Sequence, residues 1–294
     1  MRISDQMMFD LATQYTDQAA SNLQQAEATA ASGLRVVHPG DDPTAAGILV
    51  GNQVTQARLA GIAATAGQAA SSLGVAASAL NTVSNTISQA TQLALQMGNP
   101  TYNASERASA ANQVNQYIQQ IVAAMNSQVG DQYVFGGDQT GTAPFDAAGN
   151  YQGDTAVRQV EIAPGVTTDA SVRADVALKG VGGGTDVLAT LQSLSQALAN
   201  NDTAGIQAAT SPLNQGISQV SSALAQVGEE TNALDTAQAA NQAAVTAAKS
   251  QASSLADADE VQSATALAQA QQALQASLLS TSQGFQLSLL NYMT

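Results

Sequence analysis

Apolar residues recur along most of this chain at alternating steps of three and four, the spacing that lines one face of an α-helix. The clearest run is Leu73, Ala76, Leu80, Val83, Ile87, Ala90, Ala94 and Met97, which keeps the heptad without a miss. It lies in a helical pattern opened by Asp42-Pro43, a capping residue with proline at the first helical position, and ended by Gly98-Asn99-Pro100. Uninterrupted, that helix would be about 80 Å long. A second helix is predicted from Asn103, where Glu106 completes a capping box, with Ala111, Val114, Ile118, Ile121 and Met125 on its inner face and Gly130 closing it. Later, Leu213, Ile217, Val220, Leu224, Val227, Thr231 and Leu234 form another stripe. It continues past a polar patch at Gln238 and Asn241 to Val245, Ala248, Ala252 and Leu255, with Pro212 expected to start or kink the helix. Asp186 is read as a cap for a shorter helix to about Ala199, and Asn200-Asn201-Asp202 as a break.

The two ends carry thinner stripes. Residues 4–32 place Met8, Leu11, Tyr15, Ala19 and Asn22 in a coiled-coil seam, and the last segment places Leu267, Leu274, Leu278, Phe285 and Leu289 on one face. Helices this weakly apolar gain most of their stability from what they pack against. Between them the period changes. Residues 131–185 hold ten of the 23 glycines, and apolar positions alternate in Tyr133-Val134-Phe135, Val157–Ile162 and Val172–Val176, which predicts short strands. The two ends can pair only if the chain doubles back. The fold expected is mainly α: an elongated rod of long antiparallel helices with paired N- and C-terminal helices and a small β-rich insert. Its parts would be 1–42 with 256–294, 43–130 with 186–255, and the insert 131–185.

Composition sharpens this picture. Sixty of the 294 residues are alanine, there are no cysteines or tryptophans, and aromatics are 3%. Alanine forms helices well but buries little area, which suits closely packed helices better than a bulky globular core. A net charge of −14, from 22 acidic and 8 basic residues, opposes partnership with nucleic acid or an anionic membrane surface, both of which need clustered Lys and Arg. No stretch reads as long and apolar enough to span a bilayer, and Met1–Gln6 lacks the basic start and apolar run of a cleaved signal peptide.

Candidate chemistry is sparse. His38, beside Pro39-Gly40, has no evident carboxylate or nucleophile partner and reads as a loop residue. Gly180–Thr185 lacks the basic residue and glycine spacing of a phosphate loop and reads as a flexible return to the helices. Asp41, Asp42, Asp257, Asp259 and Glu260 fit helix capping better than a cation loop. Tyr133 and Phe135 are expected in the insert's core rather than stacked on a ligand. No catalytic, cofactor or metal constellation is expected.

Several segments together resemble the flagellin-type axial proteins of bacterial flagella. They are Met1–Met8, Ser32-Gly33-Leu34-Arg35 with Gly40–Gly47, Asn232–Asp235, Asp257–Asp259, Ala273–Leu278 and Leu287–Met293. Within that family, Gly130–Gly137 with Pro144-Phe145 and Gly149–Asp154 is similar to the branch at the hook–filament junction rather than to flagellin itself. The resemblance implies a non-enzymatic, secreted structural subunit of the motility organelle. It would self-assemble as a ring of copies through terminal seams at Met8, Leu11, Tyr15, Leu267, Leu274, Leu278, Phe285 and Leu289. The implied partners are further copies, the first hook-associated protein, flagellin and a type III export chaperone. The implied location is extracellular, in the flagellum, reached by the flagellar type III route without a cleaved signal peptide. Flagellin itself is the competing reading within the family, and a soluble helical-hairpin signalling module is the competing reading outside it.

Overall fold

The structure, a computed structural model, describes the backbone from Arg2 to Met293 and the side chains of residue 7 and residues 9–283. Its elements in chain order are α1 (Arg2–Ser32), α2 (Pro43–Met97), α3 (Ala104–Met125), β1 (Gln128–Val129), β2 (Gln132–Tyr133), β3 (Gln159–Ala163), β4 (Val166–Asp169), α4 (Ala174–Lys179), α5 (Val187–Ala199), α6 (Thr203–Ala256) and α7 (Glu260–Met293). The chain forms two compact units: residues 1–58 with 243–294, and residues 59–242. The division falls inside α2 and α6.

The larger unit holds the core. All eight residues of the Leu73–Met97 stripe are buried, as are Ala111, Val114, Ile118, Ile121 and Met125 of α3. They join Leu188, Leu191, Leu194 and Leu198 of α5 and Leu213, Val220, Val227 and Leu234 of α6 in one apolar cluster. An 18-residue window of α2 reaches a mean hydropathy of 1.2, enough in length and apolarity for a bilayer crossing. Its Leu73–Met97 stripe is spent on this core instead. The Asn103–Glu106 capping box is present in both directions, and Asp186 accepts from the Ala189 amide at 2.9 Å.

Other boundaries differ from the periodicity. Gly130 does not cap α3. It sits at φ +60° in the turn of the β1–β2 hairpin, and α3 stops at Met125 with Asn126 bonded across to Phe145. The break before α6 is capped by Asp202, whose carboxylate accepts from the Ala204 and Gly205 amides at 3.1 Å, so Pro212 lies inside the helix rather than at its start. The alternating stretch Val172–Val176 is not a strand. Ala174, Ala177 and Leu178 are buried at steps of three and one, a helical face, and Val176 is exposed. Gly180 then ends α4 in the left-handed region at φ +68°, where glycine carries no Cβ penalty. The second hairpin pairs β3 with β4, a strand that the sequence pattern did not announce.

The insert is built on two aromatics. Phe135 and Phe145 are fully buried, and Tyr151 lies 5.3 Å from Phe145 between ring centroids. The Tyr151 hydroxyl reaches the Asp154 carbonyl at 2.8 Å. Burial, with the nearby Asp175 and Asp154 charges, pushes its pKa up to about 12. The β3–β4 hairpin is tied to α6 where Asn241 donates to the Ile162 carbonyl at 2.8 Å.

On the same helix Glu230 is buried, with Oε2 unpaired. Burial first, then the Asp169 and Glu229 charges, raises its pKa from 4.5 to about 6 against an opposing hydrogen bond from Gln226. A raised folded-state value stabilises below about 4.5 and loses that contribution as pH climbs through about 6. Unfolding of the wild type by urea should therefore give a lower midpoint at about pH 7.5 than at about pH 5. Glu230→Gln should remove this component and gain on the order of 1 kcal/mol at the higher pH. Equal midpoints for the variant and the wild type at about pH 7.5 would contradict this.

Candidate functional site

The smaller unit is assembled from both ends of the chain. After α1, Gly33 turns the backbone at φ +69°, and the segment that follows forms a short antiparallel bridge, Leu34 to Asp257. The Arg35 amide donates to the Ala256 carbonyl at 2.6 Å, and the Ala258 amide to the Gly33 carbonyl at 2.9 Å. The Arg35 guanidinium donates to the Leu255 carbonyl at 2.7 Å and to Asp42 at 3.2 Å. The two helix breaks in the sequence, before α2 and after α6, thus meet as one joint. Asp42 caps α2 through the Ala45 amide at 3.0 Å. That amide and the Arg35 side chain hold its carboxyl below the usual carboxylate range. Asp41 accepts the Val37 and His38 amides, which makes it a loop-closing residue and leaves His38 exposed beside it. Asp259, not Asp257, caps α7, accepting from the Val261 and Gln262 amides.

Beyond this joint α1 packs along α7. The inward positions of α1 are Ala12, Thr16, Ala19, Leu23 and Ala26, and those of α7 are Ser263, Leu267, Ala270, Leu274, Ser277 and Thr281. Both series alternate steps of three and four, and Thr16 and Thr281 hydroxyls lie 3.4 Å apart across the pair. Eight of these eleven are Ala, Ser or Thr, small residues that let two backbones approach closely, and Leu23, Leu267 and Leu274 are the exceptions.

The predicted terminal residues therefore divide. Leu267 and Leu274 are half-buried in the seam. Leu11 and Tyr15 are not in it: at 41% and 66% exposed they lie to one side, as does Leu278 at 51%. Met8, Phe285 and Leu289 lie on α1 and α7, but their side chains fall outside the described residues. Sequence reasoning placed Ala19 in the α1 seam, where it is buried, but at Leu11, Tyr15 and Asn22 it fell one position short of Ala12, Thr16 and Leu23, which face α7. That series keeps heptad spacing and was the available signal.

The result is a unit with its larger apolar side chains turned outward. Met7, Phe9, Leu34, Ile48, Val50, Val54, Val261 and Leu279 are also exposed there. Among the described residues, eleven of the fifteen exposed large apolar side chains belong to this unit, against four of the 43 buried apolar residues, three of those being alanine. An exposed apolar surface on this scale is characteristic of an interaction face. Catalytic geometry is not what distinguishes the unit: among its described residues the charged groups cap helices, close the joint or face solvent. The loop at Gly180–Thr185 likewise has a structural use, since the Gln219 side chain accepts from the Thr185 amide at 3.0 Å and donates to the Ala177 carbonyl at 2.9 Å.

Residues 3–140 match the model of the bacterial flagellin N-terminal helical region, a span that takes in α1, the joint, α2, α3 and the first hairpin. Over that span the chain is similar to bacterial flagellin. Over 155 residues it is 32% identical to the flagellar hook-associated protein 3 of Salmonella typhimurium, covering 52% of this chain and 49% of that protein. Thus the match spans about half the length of the curated relatives. Two solved structures share the flagellin-type fold. Bacillus cereus FlgL superposes with a TM-score of 0.58 at 20% identity, covering 70% of this chain and 99% of that one. Xanthomonas campestris FlgL gives 0.60 at 17% identity, covering 67% and 98%.

Proposed function

We propose that this chain is a non-enzymatic structural subunit of the bacterial flagellum that sits between hook and filament and assembles with copies of itself through its terminal helices. The observation that carries this reading is the contrast just described: a flagellin-type terminal unit whose large apolar residues, Leu11, Tyr15 and Leu278 among them, face outward. An Ala-rich helix pair of this kind buries too little to be stable on its own account, and covering it with neighbouring subunits supplies the missing burial. The similarity to hook-associated protein 3 favours the junction over the filament proper.

On this reading residues 1–42 and 256–294 line an inner tube, residues 43–130 and 186–255 form the next shell, and the insert 131–185 faces outward. The partners are further copies in a ring, the first hook-associated protein on one side, flagellin on the other, and an export chaperone before assembly. Export would use the flagellar type III route, without a cleaved signal peptide, to an extracellular location.

Deletion of the gene tests the proposal. Cells should carry hooks without filaments and shed flagellin into the medium. Complete filaments would overturn it. Hooks without filaments and a medium free of flagellin would identify the chain as flagellin instead.

A further inference from the structure

Along α6 the buried positions Val227, Glu230, Leu234 and Asn241 fall on one helical face, at steps of three, four and seven. Two of the four are polar, and they are held differently. Asn241 donates to the Ile162 carbonyl of β3 at 2.8 Å, which fastens the β3–β4 hairpin to the helix. Glu230 is held from its own helix: Gln226 donates to Oε1 at 3.0 Å, while Oε2 is buried without a partner. A carboxylate oxygen stripped of water and left unpaired is costly, whereas the protonated acid carries no charge to solvate.

The surrounding charges add to that cost. Asp169, the last residue of β4, and Glu229 beside it on α6 both bear on Glu230 with its own sign. Residues 59–97 of α2 carry no charged side chain. On the hairpin, Glu161 is used at the tip, where it accepts the Gly165 amide at 2.9 Å. Arg158, just before β3, lines a recess against Thr65 and Ser72 of α2. The hairpin thus runs beside this face of α6, with Asn241 bonded at Ile162 and the Asp169 end set against Glu230.

We propose that the β3–β4 hairpin is a proton-operated flap on α6, closed while Glu230 is neutral and loosened at its Asp169 end when Glu230 ionises. Val160 and Ile162 pack against the core cluster that contains Val227 and Leu234, so closure shields this face from water. Opening hydrates the carboxylate and draws Asp169 away from it, and both changes favour the charged form. Asn241 does not titrate, so the fastening at Ile162 persists and the motion stays local. The sign follows: protonation holds the flap shut, and that hold is lost as pH rises through about 6. The inference is independent of the flagellar reading.

The test is amide hydrogen exchange on the full chain at about pH 5 and about pH 7.5, each rate divided by its intrinsic value. Between the two, opening of Gln159–Asp169 should rise about eightfold, the factor set by a shift from 4.5 to about 6. Opening of Leu73–Met97 should not follow. Glu230→Gln should keep the hairpin at its acid-side protection at both pH values. Equal corrected exchange of the hairpin at the two pH values overturns the proposal. So does a rise shared equally by Leu73–Met97, which would make the opening global. Both readings are taken on the wild type and stand even if the variant fails to fold. A folded Glu230→Gln protein that retains the rise overturns it as well, since another group would then be titrating.

Discussion

Leu11→Asp and Leu278→Asp should each abolish incorporation into the flagellum while leaving the subunit's own melting curve almost unchanged. In the free chain both positions are substantially exposed, at 41% and 51%, so a carboxylate there stays hydrated and costs within about 0.5 kcal/mol. Once a neighbouring subunit covers the face, the same carboxylate must be stripped of water without a partner, at several kcal/mol per site by order of magnitude. In the proposed ring that penalty would recur at every copy. Had Leu11 and Leu278 lain in the seam between α1 and α7, as their apolar stripes predict, the same charge would have been buried inside the subunit. The structure moves the penalty from folding to assembly.

Circular dichroism melts and motility on soft agar separate the two. A normal melt with lost motility is expected, and normal motility in either variant would refute the proposed face. Hydrogen exchange on the free subunit gives a companion reading. Amides in residues 9–32 and 260–283 should exchange much faster than those of Leu73–Met97, because their seam is mostly Ala, Thr and Ser, with Leu only at 23, 267 and 274 and each of these half-buried. Equal protection would show that the terminal pair needs no neighbour.

Arg107→Ala should strongly destabilise the larger unit. Arg107 is 3% exposed, and its guanidinium closes the end of the unit where two helix breaks meet. Nε donates to the Met97 carbonyl at 2.9 Å, Nη2 to the Asn99 carbonyl at 2.9 Å, and Nη1 to the Asn201 side chain. Met97 is the last residue of α2, so one side chain satisfies a terminal carbonyl that the helix cannot satisfy itself. Asn201 is held at φ 55°, an unusual conformation for a residue with a side chain, in the break between α5 and α6. Truncation leaves two carbonyls and an amide without their partner and opens a void. The expected loss is about 3 kcal/mol, read from the urea unfolding midpoint. Arg107→Lys should recover only a fraction, because one ammonium cannot span three acceptors in a plane. A loss below about 0.5 kcal/mol for Arg107→Ala would mean that the clasp is incidental.

These two regions show how differently the sequence could be read. Where stripes were made of Leu, Ile and Val, as at Leu73–Met97 and Val114–Met125, periodicity and burial coincided residue by residue. Large apolar side chains have one favourable destination, so their spacing reports the core directly. Helix ends written in local chemistry were also legible: the Asn103–Glu106 box, Asp42 before Pro43, Asp186 before Val187. Arg107 was not legible. A lone arginine on a helix gives no local sign that its partners lie at Met97, Asn99 and Asn201. Nor was strand β4, since Val166-Thr167-Thr168-Asp169 alternates weakly and exists by pairing with β3. Val172–Val176 could alternate or spiral, and the buried side of Ala174, Ala177 and Leu178 decided for a helix.

The sequence by itself determined that this is a long-helix protein with a glycine-rich β insert and helical ends, because periodicity, capping residues and glycine density act within a few positions of one another. Only the tertiary structure decided which face of those ends packs. Two Ala-rich helices can meet along more than one stripe at similar cost. The choice of the Ala12–Thr16–Ala19 series, which turns Leu11 and Tyr15 outward, depends on α7 and on the joint between Arg35 and Leu255. Those partners lie more than two hundred positions away along the chain, beyond the reach of any local pattern.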